Sequence, residues 1–429
     1  MHTRPLPPPR LAAMCLAVIA FSFSTSGEAA GAWLTESGGP DMAMASAGRA
    51  AFATDATAIA GNPAGLLESH GPGVVVSALP LKLDLRFHGT GATEGKASNE
   101  QGSIPLVSAF AATTQGRWSL GFGAWSNAGL GVDFGPDWSG SRALERAELQ
   151  TFNLAPAVAW QATDRLGLGA SLGAQYARAE AGLAIGNDAM FYGPPVGLPD
   201  GQLSMKGDDW SPVASLGATW QAGAATRLGL AWTSAVKHDT RLDLHGSDLH
   251  PVLGYVLEQQ PSATLDYRLP QQLTASIAQG VGADTLLAAS VGWQQWSRFG
   301  EATLAMGGQQ GPMFADGLDD TWSAAIGLRH RIDPRWTLST GLSYDSDPAG
   351  GGTVPIYFPV ADQLRIAAGA EYRRSDALTL RMSLSVVSQG DVRVEQASMP
   401  FPLPGIPPVT GRIDGSRIYV LGLTANYGG

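Results

Sequence analysis

The feature that most constrains this chain is an alternation of period two that recurs along almost its whole length. In RWTLSTGLSY the large residues Trp336, Leu338, Leu342 and Tyr344 share one parity, and in ALTLRMSLSV so do Leu378, Leu380, Met382 and Leu384. The last run places Tyr419, Leu421, Leu423, Ala425 and Tyr427 the same way. Alternation of this kind is the mark of strands with two unlike faces. A soluble sandwich alternates too, but its polar parity is rich in Lys and Glu. Here that parity reads Gly, Ser, Thr, Asn and Gln with an occasional Arg, which suits a crowded interior better than open water. Charged residues make up 15% of the chain, against about 25% in ordinary globular domains. No segment after the first thirty residues approaches the ~18 consecutive apolar residues of a spanning helix. An all-β chain that is this poor in charge has one membrane solution left, a closed barrel in which every backbone group is paired between strands.

Connection lengths sharpen the reading. Short connections lie near Thr114–Gly116, Thr163–Arg165, Gln221–Thr226, Gly280–Asp284, Ile332–Arg335 and Arg373–Ala377. Between them fall longer Gly/Pro/Asp-rich stretches at about 89–102, 131–145, 186–209, 246–263, 306–319, 346–361 and 389–411. Short and long alternate strictly. Thirteen connections give fourteen antiparallel strands, an even number, with short turns at one end and long loops at the other; barrels of the outer membrane are built this way. Many Trp and Tyr fall toward strand ends, where an aromatic girdle belongs.

The N-terminus supplies the compartment. Arg4 and Arg10 precede an apolar run, Leu11 to Phe23, and Gly27 and Ala29 have the small side chains of a cleavage site. Residues 1–29 are therefore expected to be a secretory signal peptide. Removing it removes Cys15, the only cysteine, and with it any disulfide or thiol nucleophile. The net charge of −10 is a poor footprint for nucleic acid. Residues 30–70 follow, dominated by small side chains and poor in strand formers. Fourteen strands enclose a lumen too wide for side chains alone to fill, so this segment is expected to fold inside as a hatch, with Asn62-Pro63 breaking regular structure. Residues 71–429 then form the barrel.

The chain resembles the FadL/TodX (OmpP1) family of outer-membrane transporters for long-chain fatty acids and other hydrophobic compounds. The resemblance rests on Gly48-Arg49 in a small-residue run, on Asn62-Pro63-Ala64-Gly65-Leu66, on GFGAWSNAGLGVDFG, on DDTWSAAIGLRHRIDPRWTLSTGLSYDSDP and on VADQLRIAAGAEYRRSDALTLRMSLSVVSQGDV. It implies a Gram-negative outer-membrane monomer in contact with membrane lipid. It also implies a route: capture in a groove between the third and fourth external loops, a lumen site beside the hatch, and sideways exit where strand three is kinked. Phe191, Tyr192 and Leu198 in loop three, and Val252, Leu253, Tyr255, Val256 and Leu257 in loop four, are the matching apolar residues. Val252, Leu253, Val256 and Leu257 have helical spacing and are expected to show one apolar face. Asn127, Gly129 and Gly131 match the kink, and Arg49, Asn62, Pro63 and Ala64 the hatch.

Holding a ligand is mainly apolar work. A methylene buries about 0.8 kcal/mol, so a tail of about sixteen carbons outweighs the ~1.5–3 kcal/mol of one charge-assisted bond. A basic residue would orient a carboxylate. By parity Arg365, Arg381 and Lys237 are expected to face inward, since an outward arginine at mid-membrane costs about 2–4 kcal/mol; Glu371 is a candidate partner for Arg365, and Arg49 a candidate tie to the wall. Passive uptake of long-chain fatty acids is the first reading, and aromatic or alkane hydrocarbons the alternative. An enzyme acting on lipids is disfavoured. Gly169 to Gly173 fits G-x-S-x-G, but Ser171 sits mid-strand instead of on a strand–turn–helix elbow. His245 and His250 meet no metal-ligand spacing, and no dinucleotide fingerprint, P-loop or zinc signature is present. No cofactor or metal is expected.

Overall fold

A computed structural model describes residues 37–69, 72–127, 129–187, 199–396 and 408–428. The expected signal peptide lies outside the described residues, as do Phe191, Tyr192 and Leu198. The architecture is a closed, fourteen-stranded antiparallel barrel. Its strands are β1 (Gly73–Asp84), β2 (Ile104–Gln115), β3 (Trp118–Trp125 and Gly129–Asp133), β4 (Arg146–Gln161) and β5 (Leu166–Ile185). There follow β6 (Gly201–Gln221), β7 (Thr226–Thr233 and Val236–Ser247), β8 (Ser262–Leu269 and Gln272–Val281), β9 (Thr285–Gln294) and β10 (Thr321–Arg331). The circuit ends with β11 (Trp336–Asp345), β12 (Gln363–Ser375), β13 (Leu378–Gln389) and β14 (Arg417–Gly428), which pairs with β1 from Gly73↔Gly428 to Asp84↔Arg417 and leaves no free edge there.

The alternation has the physical meaning the sequence suggested. Leu120, Leu172, Leu216, Val291, Ile326, Ile366, Met382 and Leu384 are exposed on the outer wall, as a lipid-facing surface requires. At the short-turn end Trp118 stacks on Trp160 at 5.9 Å, and Trp336 meets Tyr372 at 4.7 Å with the rings tilted. Toward the other end Tyr176 meets Trp210 at 5.1 Å. Beyond that second aromatic level the outward positions of β5 and β6 become charged, with Arg178, Glu180, Lys206 and Asp208. Glu180 there binds Arg146, Arg178 and Lys206 at 2.6, 3.2 and 2.9 Å. Strands of 20 and 21 residues exceed the roughly 9–11 needed to cross, so they project past the bilayer. Residues 201–209, expected in a loop, belong to this projection.

Two strands change parity. In β7, Gly229 and Ala231 face inward; past Ser234 and Ala235 the inward positions are Val236, His238, Thr240 and Leu242. β8 shifts likewise at Pro270 and Gln271. The extra residue reverses the face of everything beyond it. This corrects the expectation for Lys237: it lies on the outer face, half exposed, with Nζ 2.8 Å from Asp266 Oδ2.

Residues 37–69 fill the barrel. They hold two 3-10 turns, Met42–Met44 and Pro63–Glu68, and a short helix, Ala58–Gly61. Asn62 joins the last two: its Oδ1 accepts from Ala64 N at 3.0 Å, while Nδ2 donates to Ala50 O at 2.6 Å and Ala218 O at 3.1 Å. Pro63 takes the first helical position, where its missing N–H costs nothing. Wall glycines make room for this backbone. A Cβ on Gly229 would overlap the Ala50 carbonyl, and one on Gly217 the Asn62 side chain. Gly229→Val is expected to destabilise the seated segment by about 1–3 kcal/mol through overpacking. Protease cleavage within residues 37–69 should accelerate while the barrel stays intact; unchanged cleavage would contradict the close fit.

Candidate functional site: two cavities and a break in the wall

Among the described residues, two cavities of different character lie above the segment 37–69. One, with about 810 Å³ of empty volume, is lined by Leu149, Met205, Leu242, Leu265 and Tyr267 from the wall and by Phe299, Leu304, Met313, Phe314, Tyr357 and Phe358 from the external loops. No Lys or Arg lines it. The loop rings pack on each other, Phe299 to Phe314 at 5.6 Å and Phe314 to Phe358 at 5.1 Å. Burial pushes the Tyr357 phenol up, so it stays protonated and donates to Met313 O. Phe314, Tyr357 and Phe358 sit in stretches read from sequence only as Gly/Pro/Asp-rich loops, and Phe299 lies just before the stretch 306–319. Their signal was the one applied to loops three and four: apolar side chains in segments that otherwise face water.

The second cavity, about 870 Å³, has a mixed polar and apolar lining. Ser290, Ser323, Ser343, Gln272 and Gln363 line it together with Arg49 and Arg365. Trp296 borders it and contacts Phe299 at 5.5 Å and Phe358 at 5.8 Å, so the two cavities adjoin at this aromatic cluster.

The expected basic residues have distinct places. Arg365 faces inward and is buried. Glu371 is not its partner: it binds Arg329 at 2.9 Å and Arg381 at 2.8 Å, because six residues of extended strand separate positions 365 and 371. Arg381 faces inward as expected, but reaches the N-terminal segment, with Nη2 2.6 Å from Asp55 Oδ2. Arg49 binds Asp41 at 2.7 Å and donates to Ala60 O at 3.1 Å, contacts internal to the segment.

The loop-four residues form the helix Pro251–Gln259. The single apolar face expected for Val252, Leu253, Val256 and Leu257 is split. Leu253 is buried and Leu257 packs on the core, while Val252, Val256 and Tyr255 are exposed. At 100° per residue the four span too wide an arc for one contact. His250 caps this helix, its Nδ1 accepting from Val252 N at 3.3 Å. Ser171 is buried in the middle of β5. Among the described residues no cluster of three His, Cys, Asp or Glu is placed to hold a metal ion.

Asn127, Gly129 and Gly131 lie at or just beyond an interruption of β3. Trp125 pairs with Asn153 but Gly129 with Gln150, so β3 carries one residue more than β4 across the break. On its other side β3 pairs with β2 only from Gln115↔Trp118 to Ala109↔Ala124. Beyond that point no ladder joins β2 to Gly129–Asp133 among the described residues. The chain closes again at Asp133, whose carbonyl accepts from Glu100 N at 2.7 Å. The wall therefore has a gap between β2 and β3, flanked inside by the stacked rings of Phe110 and Trp125.

Apolar outer wall and filled lumen define a plugged transmembrane β-barrel. The chain belongs to the family described as outer membrane protein transport protein (OMPP1/FadL/TodX), whose model matches residues 20–428. It is an outer-membrane protein of a transport family, not an enzyme. It is 25% identical over 399 residues to a long-chain fatty acid transport protein of Escherichia coli O6:H1, covering 86% of this chain and 89% of that one. Outer membrane protein P1 of Haemophilus influenzae is 24% identical over 430 residues, covering 90% and 89%. Among solved structures, a Pseudomonas aeruginosa FadL homologue superposes with a TM-score of 0.78 at 20% identity, covering 93% and 99%. The Pseudomonas putida toluene transporter TodX superposes with 0.68 at 16% identity, covering 91% and 98%. Likeness at these identities speaks for the fold.

Proposed function

We propose that the chain carries hydrophobic small molecules, long-chain fatty acids first among them, passively from the medium into the outer membrane. Residues 37–69 act in this reading as a hatch that denies passage straight through the barrel. The exposed residues Val252, Tyr255 and Val256 of the loop-four helix offer a first contact, together with Phe191, Tyr192 and Leu198. The apolar cavity takes the tail, and the gap between β2 and β3 is the exit. The observation that carries the reading is an apolar cavity beside an interrupted stretch of wall. A water-filled porin has no use for such a cavity, and burial of a long tail there yields on the order of 10 kcal/mol before ordering costs.

Arg365 is the residue we assign to the carboxylate. Arg365→Met is expected to weaken binding of a long-chain fatty acid about tenfold or more, the worth of one charge-assisted bond, and to leave a neutral hydrocarbon unaffected. Equal losses for both ligands in a competition assay would remove Arg365 from this role. One observation favours a second reading, uptake of aromatic or alkane hydrocarbons: the apolar cavity is rich in aromatic rings and has no cation in its lining. Growth of a deletion strain carrying this chain, on oleate against toluene, separates the two.

A further inference from the structure

Between the apolar cavity and the wall gap lies a line of buried side chains, of which only the first, Tyr267, borders the cavity. Tyr267 lines the cavity and stacks on His238, ring centroids 5.2 Å apart at 25°. His238 Nδ1 is 2.9 Å from Asp209 Oδ2, and Nε2 is 3.1 Å from Gln175 Oε1. Gln175 Nε2 donates to Asn127 Oδ1 at 3.1 Å and to Asn153 Oδ1 at 2.9 Å. Asn127 Oδ1 also accepts from Asn153 Nδ2 at 2.8 Å and from Thr151 Oγ1 at 3.2 Å. His238, Gln175 and Asn153 are each 0% exposed.

Such a set is costly in a lumen meant for apolar cargo. Each buried polar group must be paired, and one left alone costs about 1–3 kcal/mol. Alanine or glycine would line the same wall without that demand, as Gly229 and Ala231 do elsewhere in this barrel. The parity shifts in β7 and β8 turn His238 and Tyr267 inward, and the line ends on the one residue inside the β3 break that receives three side-chain donors. The layout joins a cavity surface at one end to the interrupted strand at the other.

We propose that Tyr267, His238, Gln175 and Asn127 form the latch of the wall gap: they hold the β3 break in its closed geometry until cargo in the apolar cavity displaces Tyr267 and the imidazole stacked on it. His238 and Gln175 are then positioning residues, acting through Asn127 without touching cargo. This rests on the sideways-exit reading above, yet it has a test that needs no cargo.

Gln175→Met keeps length and volume but loses the amide, and His238→Phe keeps the stack but loses both polar contacts. Hydrogen exchange of the unliganded protein should show the amides of Gly129–Asp133 exchanging at least tenfold faster in either variant. The double variant should be no faster than the single ones, and β10–β12 should be unchanged. His238→Asn, a milder change, should give an intermediate rate and covers the event that the larger substitution fails to assemble. Unchanged exchange at 129–133, additive effects of the two substitutions, or a rise throughout the barrel would each overturn the latch. With a fluorescent long-chain fatty acid, release into lipid should rise several-fold at a Kd within twofold of wild type; a changed Kd with unchanged release would place these residues in the binding site instead. Failure of the wild type to bind the fatty acid would end the fatty-acid reading and leave the exchange result to decide the latch.

Discussion

Arg381→Met is expected to unseat the N-terminal segment and open a conducting pore. Arg381 is largely enclosed between the barrel and that segment, with Asp55 at 2.6 Å on one side and Glu371 at 2.8 Å on the other. Glu371 retains Arg329 at 2.9 Å when Arg381 is lost. Asp55 retains only the local bonds from Thr57 N and Thr57 Oγ1, which both use Oδ1. Its other oxygen is left with no cation in a dry site, a situation that costs about 3–5 kcal/mol. The barrel ladder does not depend on this pair, so the loss falls on plug attachment. By the conversion of about 1.4 kcal/mol per tenfold, the unseated population rises by some two to three orders of magnitude. Planar-bilayer recordings should show frequent open steps where the parent is nearly silent. Asp55→Asn added to Arg381→Met removes the stranded charge and should restore most of the silence. A variant as quiet as the parent would show that the pair does not hold the plug.

Leu265→Asp is expected to abolish binding of hydrophobic cargo while sparing the barrel. Leu265 lies on the inward parity of β8 and lines the apolar cavity, where no Lys or Arg stands to neutralise a new carboxylate. Cargo entering would have to strip water from that charge, at several kcal/mol uncompensated. Affinity for a long-chain fatty acid should fall at least a hundredfold, with Leu265→Met close to wild type and heat-modifiable migration of the folded barrel unchanged in both. Retained affinity in Leu265→Asp would mean that cargo binds elsewhere.

The barrel was legible because its physics is written at every second residue: lipid demands large apolar side chains, and the lumen accepts only small or polar ones. The strict alternation of short and long connections fixed strand number and sidedness together. What misled was any place where the two-residue period failed to report the environment. Residues 201–209 read as loop because β6 outruns the bilayer there, and Lys206 and Asp208 face water. Lys237 was placed in the lumen because one extra residue at Ser234–Ala235 reverses the parity beyond it, and nothing in the local composition announces a bulge. The same shift turns His238 inward, so its contact with Gln175 and Asp209 was out of reach. Arg365 and Arg381 were placed on the correct face, but partners depend on neighbouring strands and on the plug, which no strand pattern encodes. The aromatic residues of the later loops were legible in principle: Phe299, Phe314 and Phe358 are as out of place in water as Phe191 or Tyr192.

The route is most directly tested by photolabelling with a long-chain fatty acid that carries a diazirine in its tail, with the protein in lipid and the adducts mapped by mass spectrometry. Adducts should concentrate on the apolar cavity, at Met205, Leu242, Phe299 and Met313, and on the gap, at Leu106, Val107 and Trp125. They should spare the lumen beside the short turns, at Thr114, Thr219 and Ala278. Labelling at those last three residues, with none at the gap, would mean that cargo passes straight through the barrel and would contradict the account.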